Sequence, residues 1–182
     1  MPRELLEPGC VYHIYSHAVG TDKLFLSEEN YLYFLRRYEY FIPPIADTFC
    51  YCLVPNHLHF LVEIKQQIDV PVDSKYTASQ YASKQFSNLF SSYAQAFNKQ
   101  QMRRGNLFMS NFKRRRINSD EYLTNVIKYI HLNPVAHGMV NFPFEWKFSS
   151  YNSIFSACTT FLAREKVLAW FGGVEEFKRL HE

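Results

Sequence analysis

Residues 54–62 read Val54-Pro55-Asn56-His57-Leu58-His59-Phe60-Leu61-Val62, and they predict the centre of the fold. Pro55-Asn56 is typical of a turn, and it separates two largely apolar stretches, Ile45 to Leu53 and His57 to Ile64. The two stretches therefore predict antiparallel strands joined in a hairpin. His57 and His59 are two residues apart on the second strand, so both imidazoles face the same side of the sheet.

Two neutral imidazoles on one face of a strand can hold a divalent metal ion. The pair alone is weak evidence, because short motifs of this kind also arise by chance. The remaining sequence has to supply a third ligand and a reactive group before a metal site becomes the better interpretation.

The segments on either side of the hairpin predict an α+β protein with an antiparallel sheet. Hydrophobic periodicity, capping residues and prolines place these elements along the chain. The predicted elements are a strand over Val11 to Ser16, a helix that begins at Ser27 and ends at Pro43-Pro44, a helix from Thr77 or Ser79 to about Asn98, a strand over Leu107 to Ile117, a helix from Ser119 that Pro134 ends near Asn133, and a tail helix over Glu165 to Phe171 that Gly172-Gly173 stops.

The third predicted helix carries polar residues beside its buried stripe. Leu123, Ile127 and Ile130 follow helical spacing and predict the buried side. Tyr129 and Asn133 are four residues apart, one turn from each other and about a quarter-turn from that stripe. They are expected at the edge of the core, where side chains line a cleft. Taken singly, a tyrosine there is more often packing, and an asparagine before a proline more often ends a helix.

The composition fits one domain, or one domain plus a tail: 182 residues, of which 47% are hydrophobic. A net charge of +3 implies no general polycation, but Lys113-Arg114-Arg115-Arg116 and Arg103-Arg104 are local clusters. Such a cluster is either a solvated face or a strip that contacts phosphates. The four cysteines form no CxxC motif, and no apolar run reaches the length of a membrane span. We expect a reduced, soluble, cytoplasmic protein.

The histidine pair and the segment Tyr129-Ile130-His131-Leu132-Asn133-Pro134-Val135 together resemble the single-tyrosine HUH transposases. The resemblance is closest to the branch associated with repetitive extragenic palindromes (REP), relatives of the IS200/IS605 transposases. Further matches occur in the family's order, and they are Tyr12-His13-Ile14, Val54-Pro55-Asn56-His57, Phe112-Lys113-Arg114 and Ser149-Ser150-Tyr151. The resemblance divides the chain into a transposase domain over residues 1–155 and a helical tail over residues 156–182.

The resemblance implies a ferredoxin-like fold, with a sheet of four to five strands, helices mainly on one face and a C-terminal helical tail. It also implies roles for individual residues. His57 and His59 would bind the metal, Asn133 falls where the family places its third ligand, and Tyr129 falls on the nucleophile. The expected DNA contacts are Lys113, Arg114, Arg115, Arg116, Arg103 and Arg104.

The implied reaction is transesterification of single-stranded or hairpin-forming DNA through a 5′-phosphotyrosine. A metal ion polarises the phosphodiester, and a phenol, with an ordinary pKa of about 10, must lose its proton as it attacks. Two imidazoles with an amide oxygen suit Mn²⁺ better than Mg²⁺, although we expect either ion to support the reaction. The family contains monomers and homodimers, and either state is compatible with the sequence.

Other histidines and other functions are weighed against this interpretation. His17 stands in the first strand where the family usually has arginine. His13 lies on the same face of that strand, but about 13 Å separates it from His17, so the two histidines cannot both bind one ion. His131 lies about 200° round the helix from Tyr129 and is not a predicted ligand.

The alternative functions are a non-catalytic protein that binds hairpin or single-stranded DNA, and a plasmid-type replication initiator.

Overall fold

The computed structural model describes residues 5–109 and 111–181. Residues 1–4 of the predicted domain, residue 110 of the predicted strand over 107–117 and residue 182 of the predicted tail lie outside the described residues. Its strands are β1 Val11–His17, β2 Ala46–Val54, β3 His57–Ile64 and β4 Lys113–Ile117. Its helices are α1 Glu28–Phe41, α2 Ala78–Gln100, α3 Asp120–Ala136, α4 Arg164–Phe171 and α5 Val174–Arg179, with short 3₁₀ turns at Pro143–Glu145 and Asn152–Ile154. The predicted hairpin is β2 and β3.

The four strands form one antiparallel sheet in the order β2-β3-β1-β4, which confirms the predicted ferredoxin-like α+β class. Helices α1 and α2 pack together on one face. The α1 side chains Phe34 and Tyr38 stack on Phe60 of β3, with the Tyr38 and Phe60 ring centroids 4.2 Å apart. Helix α3 covers the β2 and β3 end of the other face through its predicted stripe, and the rest of that face stays open.

The strand predicted over Leu107 to Ile117 is shorter than expected, and this part of the prediction is wrong. Only Lys113–Ile117 pairs continuously with β1, while Phe108 forms an isolated bridge to Ala18. Leu107 and Phe108 are consecutive and both are buried. The carbonyl of Leu107 accepts from the N–H of Val19 and the N–H of Met109 donates to the carbonyl of His17, so this segment meets the chain at the end of β1 and does not run on into the β4 ladder.

The sequence predicts that Pro134 ends the third helix near Asn133, and this prediction is wrong. Helix α3 continues through Pro134 to Ala136. Proline removes one intrahelical hydrogen bond, but its fixed φ angle is compatible with a helix. The bonds resume at once, with the N–H of His137 donating to the carbonyl of Asn133. Asn133 is 3% exposed, and its side chain contacts His57 and His59.

The tail packs on the β2 edge of the sheet. Helix α4 ends at Gly172, which has φ +80° as expected of a glycine C-cap, and confirms the predicted tail helix. Leu162 bridges to Thr48, and the buried side chains of Phe171 and Phe177 belong to the same core as the sheet. Helix α5 was not predicted, because six residues are too few for a periodic pattern.

A chain of buried hydrogen bonds joins α3 to the tail. The Nδ1 atom of His131 lies 3.0 Å from Nε2 of His181, and Nε2 of His131 lies 2.8 Å from Oγ of Ser150. His181 in turn contacts the carbonyl of Phe177 through Nδ1 at 2.7 Å. Both rings are neutral, since burial lowers the pKa of His181 to about 4 and the pKa of His131 well below its usual value. With one N–H on each ring, His181 donates to Phe177, His131 donates to His181, and the hydroxyl of Ser150 donates to His131.

We expect His131 and His181 to make the stability of the protein sensitive to acid. The unfolded chain takes up protons near pH 6.5 and the folded pair does not, so the stabilisation is complete above pH 6.5 and is lost as the pH falls toward 4. For His181 the loss at pH 5 is on the order of 2 kcal/mol. Urea unfolding at pH 7.5 and pH 5 measures it, and His181→Gln should show a shallower pH dependence than the wild type. His137→Gln, at an exposed position, is the control, and an equal slope in all three proteins would contradict the prediction.

Candidate metal and nucleophile site

The β2–β3 hairpin holds both predicted histidines on the sheet face that α3 partly covers. His57 and His59 are each 3% exposed, and their ring centroids lie 5.1 Å apart. Burial lowers the pKa of His57 to about 4 and the pKa of His59 to about 2. Both imidazoles are therefore neutral at pH 7, the state in which they bind metals.

His57 contacts two amide oxygens. Its Nδ1 lies 2.8 Å from Oδ1 of Asn56, and its Nε2 lies 2.8 Å from Oδ1 of Asn133. A neutral imidazole carries one N–H, so it can donate to only one of these oxygens. When Nδ1–H donates to Asn56, two lone pairs face each other between Nε2 and Asn133. A cation bound by both atoms would satisfy them.

His59 is oriented from behind by His13 of β1. The Nε2 atom of His13 lies 2.9 Å from Nδ1 of His59. Burial first, and the charge of Arg115 second, lower the pKa of His13 to about 4, so this ring is neutral as well. A proton on Nδ1 of His59 leaves its Nε2 free, and this Nε2 lies 3.5 Å from Nδ2 of Asn133. Contacts of this kind fix the tautomer and direction of a ligating histidine.

The residues fit a divalent ion. His57, His59 and Asn133 bring two ring nitrogens and one amide to the same place. Neighbouring ligands on an octahedral ion with bonds of about 2.1 Å lie about 3 Å apart, close to the 2.8 Å between His57 and Asn133. In the described part of the chain no three His, Cys, Asp or Glu side chains form a metal-binding group, so the set depends on the asparagine.

Tyr129 lies beside this set, one helical turn before Asn133. Its side chain is 53% exposed, and its ring meets the His59 ring edge-on at a centroid distance of 5.5 Å. It also meets the ring of His13 at 6.1 Å. The structure thus brings together the four residues that the sequence singled out, from one strand and one helix.

The basic run of β4 is divided between the two faces of the sheet. Lys113 and Arg115 lie on the histidine face, where Lys113 approaches the ring of Tyr15 and Arg115 that of Tyr122. A cleft of about 450 Å³ opens there between β1, β4 and α3, and Tyr129 and His59 line it. Arg114 and Arg116 point to the other face, where Arg114 donates to Oγ of Ser83 and Arg116 pairs with Glu7.

The other predicted cations, Arg103 and Arg104, lie in the loop after α2 and do not line this cleft. Arg103 pairs with Asp22 and donates to Asn98, so it holds its own loop in place. Arg104 is exposed.

Sequence reasoning assigned no role at the site to two histidines that lie there. His13 contacts His59 across the sheet, which only the strand register could have shown. His137 lies 4.9 Å from the ring of His57, and it continues the four-residue spacing of Tyr129 and Asn133. The four-residue spacing could have placed His137 on the same side of the helix, but the helix was predicted to end near Asn133. His17 stacks on His57 at 4.8 Å, while His131 is buried away from the cleft.

Comparison with known proteins gives two informative similarities. A curated protein of Haemophilus influenzae, provisionally named a REP-associated tyrosine transposase, is 29% identical over 109 residues, which are 58% of this chain. The match spans 59% of that protein's own length. A solved structure of a REP-associated tyrosine transposase bound to a REP hairpin has a TM-score of 0.57 at 15% identity, over 84% of this chain and 83% of that one.

These similarities confirm the predicted resemblance and the fold. A second solved structure, a bacterial tRNA(His) guanylyltransferase-like protein in complex with GTP, has a TM-score of 0.40 at 11% identity over 78% of this chain and 72% of that one. A TM-score this low does not indicate a shared fold. No family model matches the sequence. Within the described residues, no helix is both long and apolar enough to cross a membrane.

Proposed function

We propose that this protein is a metal-dependent tyrosine transposase of the REP-associated kind, which cuts and rejoins single-stranded or hairpin-forming DNA through a 5′-phosphotyrosine. One observation carries the proposal. An exposed tyrosine, Tyr129, lies 5.5 Å from His59, and this histidine converges with His57 on Asn133 at the end of a cleft that two cations flank. Binding DNA requires no such combination.

His57, His59 and Asn133 would hold Mg²⁺ or Mn²⁺. When bound, the ion withdraws charge from a phosphate oxygen and so lowers the cost of the transition state. The protein keeps these donors buried and oriented, through Asn56 behind His57 and His13 behind His59. Tyr129 stands at the open side, where a phosphodiester can enter.

The reaction conserves the phosphodiester energy. The Tyr129 oxygen forms a bond to phosphorus, the bond from phosphorus to the 3′-oxygen breaks, and the phenolic proton ends on the released 3′-hydroxyl. A second 3′-hydroxyl then attacks the phosphotyrosine and restores the phenol. Lys113 and Arg115, on the same face of β4 as the histidines, would bind phosphates of the strand near the reacting one.

We expect Lys113 and Arg115 to contribute more to DNA binding than their neighbours. The double substitution Lys113→Ala with Arg115→Ala should weaken binding of a single strand and should reduce its salt dependence, the slope of log K against log salt, by about 1.4. Filter binding or fluorescence anisotropy over a series of salt concentrations measures both effects.

The matched control is Arg114→Ala with Arg116→Ala, which removes the same charge from the opposite face. A loss of affinity as large in the control pair would mean that DNA does not follow the histidine face of β4. It would also place the DNA away from Tyr129.

We assign the proposed reaction to residues 1–155 and a supporting role to residues 156–182. The tail packs on β2 and touches α3 through His181, away from the cleft. A substrate of chromosomal DNA would place the protein in the bacterial cytoplasm.

Incubation with Mn²⁺ and labelled hairpin DNA that carries single-stranded flanks tests the proposed function. We expect a protein–DNA adduct that survives denaturation and a free 3′-hydroxyl on the released fragment. The flanks should be drawn from the DNA that surrounds the coding sequence. A wild-type protein that binds such hairpins tightly and forms no adduct would instead support the alternative, a non-catalytic DNA-binding protein on the same fold.

A further inference from the structure

The interruption before β4 opens a second cleft on the sheet face opposite the histidines. This cleft, which we call the amide pocket, has a volume of about 540 Å³ and lies between α2 and residues 105–108 and 111–112. Ser91, Gln95, Asn106 and Asn111 form its rim and are exposed. Among the described residues none of these four side chains is hydrogen-bonded to another, so their donors and acceptors are available to a ligand.

Ser16 lies at the floor of the amide pocket. In β1 its neighbours Tyr15 and His17 face the histidine cleft, so Ser16 faces α2. It is 3% exposed, and its Oγ is buried without a hydrogen-bond partner among the described residues. Buried polar atoms are almost always hydrogen-bonded, and one without a partner needs an explanation.

The chemistry of the lining selects the kind of ligand. The described lining residues include no charged side chain, so the pocket suits neither a phosphate nor a metal ion. Phe90, Phe108 and Phe112 supply an aromatic wall behind the amides and hydroxyls. A neutral, flat ligand with donors and acceptors along its edge matches both features, and amides are the side chains that read the edges of bases.

We propose that the amide pocket binds one unpaired nucleobase of the DNA strand that the protein cuts. The proposal rests on the proposed function. One strand, β1, separates the pocket from the histidine cleft, with Ser16 on one side and Tyr15 and His17 on the other. A DNA backbone that follows Lys113 and Arg115 along the β4 edge can therefore place a base on the far side of that edge.

The experiment compares an oligodeoxyadenylate with an abasic strand of equal length, because the two share a backbone and differ in their bases. Ser91→Trp, at an exposed position of α2, fills the pocket without touching the core. We expect the wild type to prefer the base-bearing strand, and Ser91→Trp to lose about fivefold or more of that preference while binding the abasic strand as before. Unchanged abasic binding also shows that the variant folds.

Thr159→Trp is the matched control, since it adds an exposed tryptophan near the β2 edge, at the other end of the sheet. A second variant, Gln95→Leu with Asn111→Leu, removes two rim amides without filling the pocket and should lose the same preference. The proposal is overturned if the wild type does not distinguish the strands, or if Ser91→Trp and the double variant keep the wild-type ratio while hairpin DNA still forms the covalent adduct. Failure of the wild type to form the covalent adduct with hairpin DNA would refute the proposed function itself, and this readout is separate from the comparison of the two strands.

Discussion

Replacing Tyr129 with phenylalanine is expected to abolish the covalent protein–DNA adduct and to reduce strand cleavage by more than about 10³-fold. The substitution removes only the oxygen that would attack phosphorus. The phenyl ring can keep the edge-on contacts with His59 and His13, so the cleft and the proposed metal ligands should stay in place. Binding of the same hairpin should therefore change little, and denaturing gel electrophoresis separates adduct formation from binding.

Tyr122→Phe is the matched control for this substitution. Tyr122 lies on the same helix, lines the same cleft and is 36% exposed, but it is next to Arg115 and not next to the histidines. We expect this variant to form the adduct. An adduct that persists in Tyr129→Phe, or that disappears equally in Tyr122→Phe, would remove Tyr129 from the role of nucleophile.

The second large effect is expected at the proposed metal ligands. His57→Ala should eliminate tight Mn²⁺ binding and the adduct together, while binding of hairpin DNA without metal persists. Asn133→Ala should weaken Mn²⁺ binding at least about tenfold, because the amide faces Nε2 of His57 at 2.8 Å and Nε2 of His59 at 3.5 Å. Asn133→Asp supplies another oxygen ligand and should retain the ion. Electron paramagnetic resonance of free Mn²⁺ measures the affinities directly.

His137→Ala is the control for both ligand positions. This imidazole is exposed and lies against the ring of His57, so its removal disturbs the surroundings of the site while leaving the proposed donors intact. Equal losses of Mn²⁺ in His137→Ala and Asn133→Ala would argue that the asparagine substitution acts by disturbing the surroundings of the site and not by removing a bond to the metal.

Local patterns predicted the parts of this site that lie within one element. The spacing of His57 and His59 placed both on one face of β3, and the four-residue spacing of Tyr129 and Asn133 placed both on one side of α3. Each inference needed only the period of a strand or a helix. That the two elements meet came from the family resemblance, since no local pattern fixes where a helix crosses a sheet.

The errors arose where tertiary contacts override a local rule. A proline usually ends a helix, but Asn133 is held by the histidines and the helix continues, which brings His137 to the site. A run of apolar and basic residues suggested one long strand, but only Lys113–Ile117 pairs continuously with β1, and Phe108 meets Ala18 in an isolated bridge. The contact of His13 with His59 depends on strand register, which composition does not encode.

The attachment of α3 limits how the protein can move during a reaction. Tyr129 and Asn133 lie one turn apart on this helix, and between them His131 is fixed from behind by Ser150 and His181. The helix therefore cannot carry the tyrosine away without pulling Asn133 away from His57 and His59 and without separating His131 from His181. A DNA end joined to Tyr129 would stay where it was cut, so the partner strand would have to travel to it, and exchange would depend on the flexibility of the DNA.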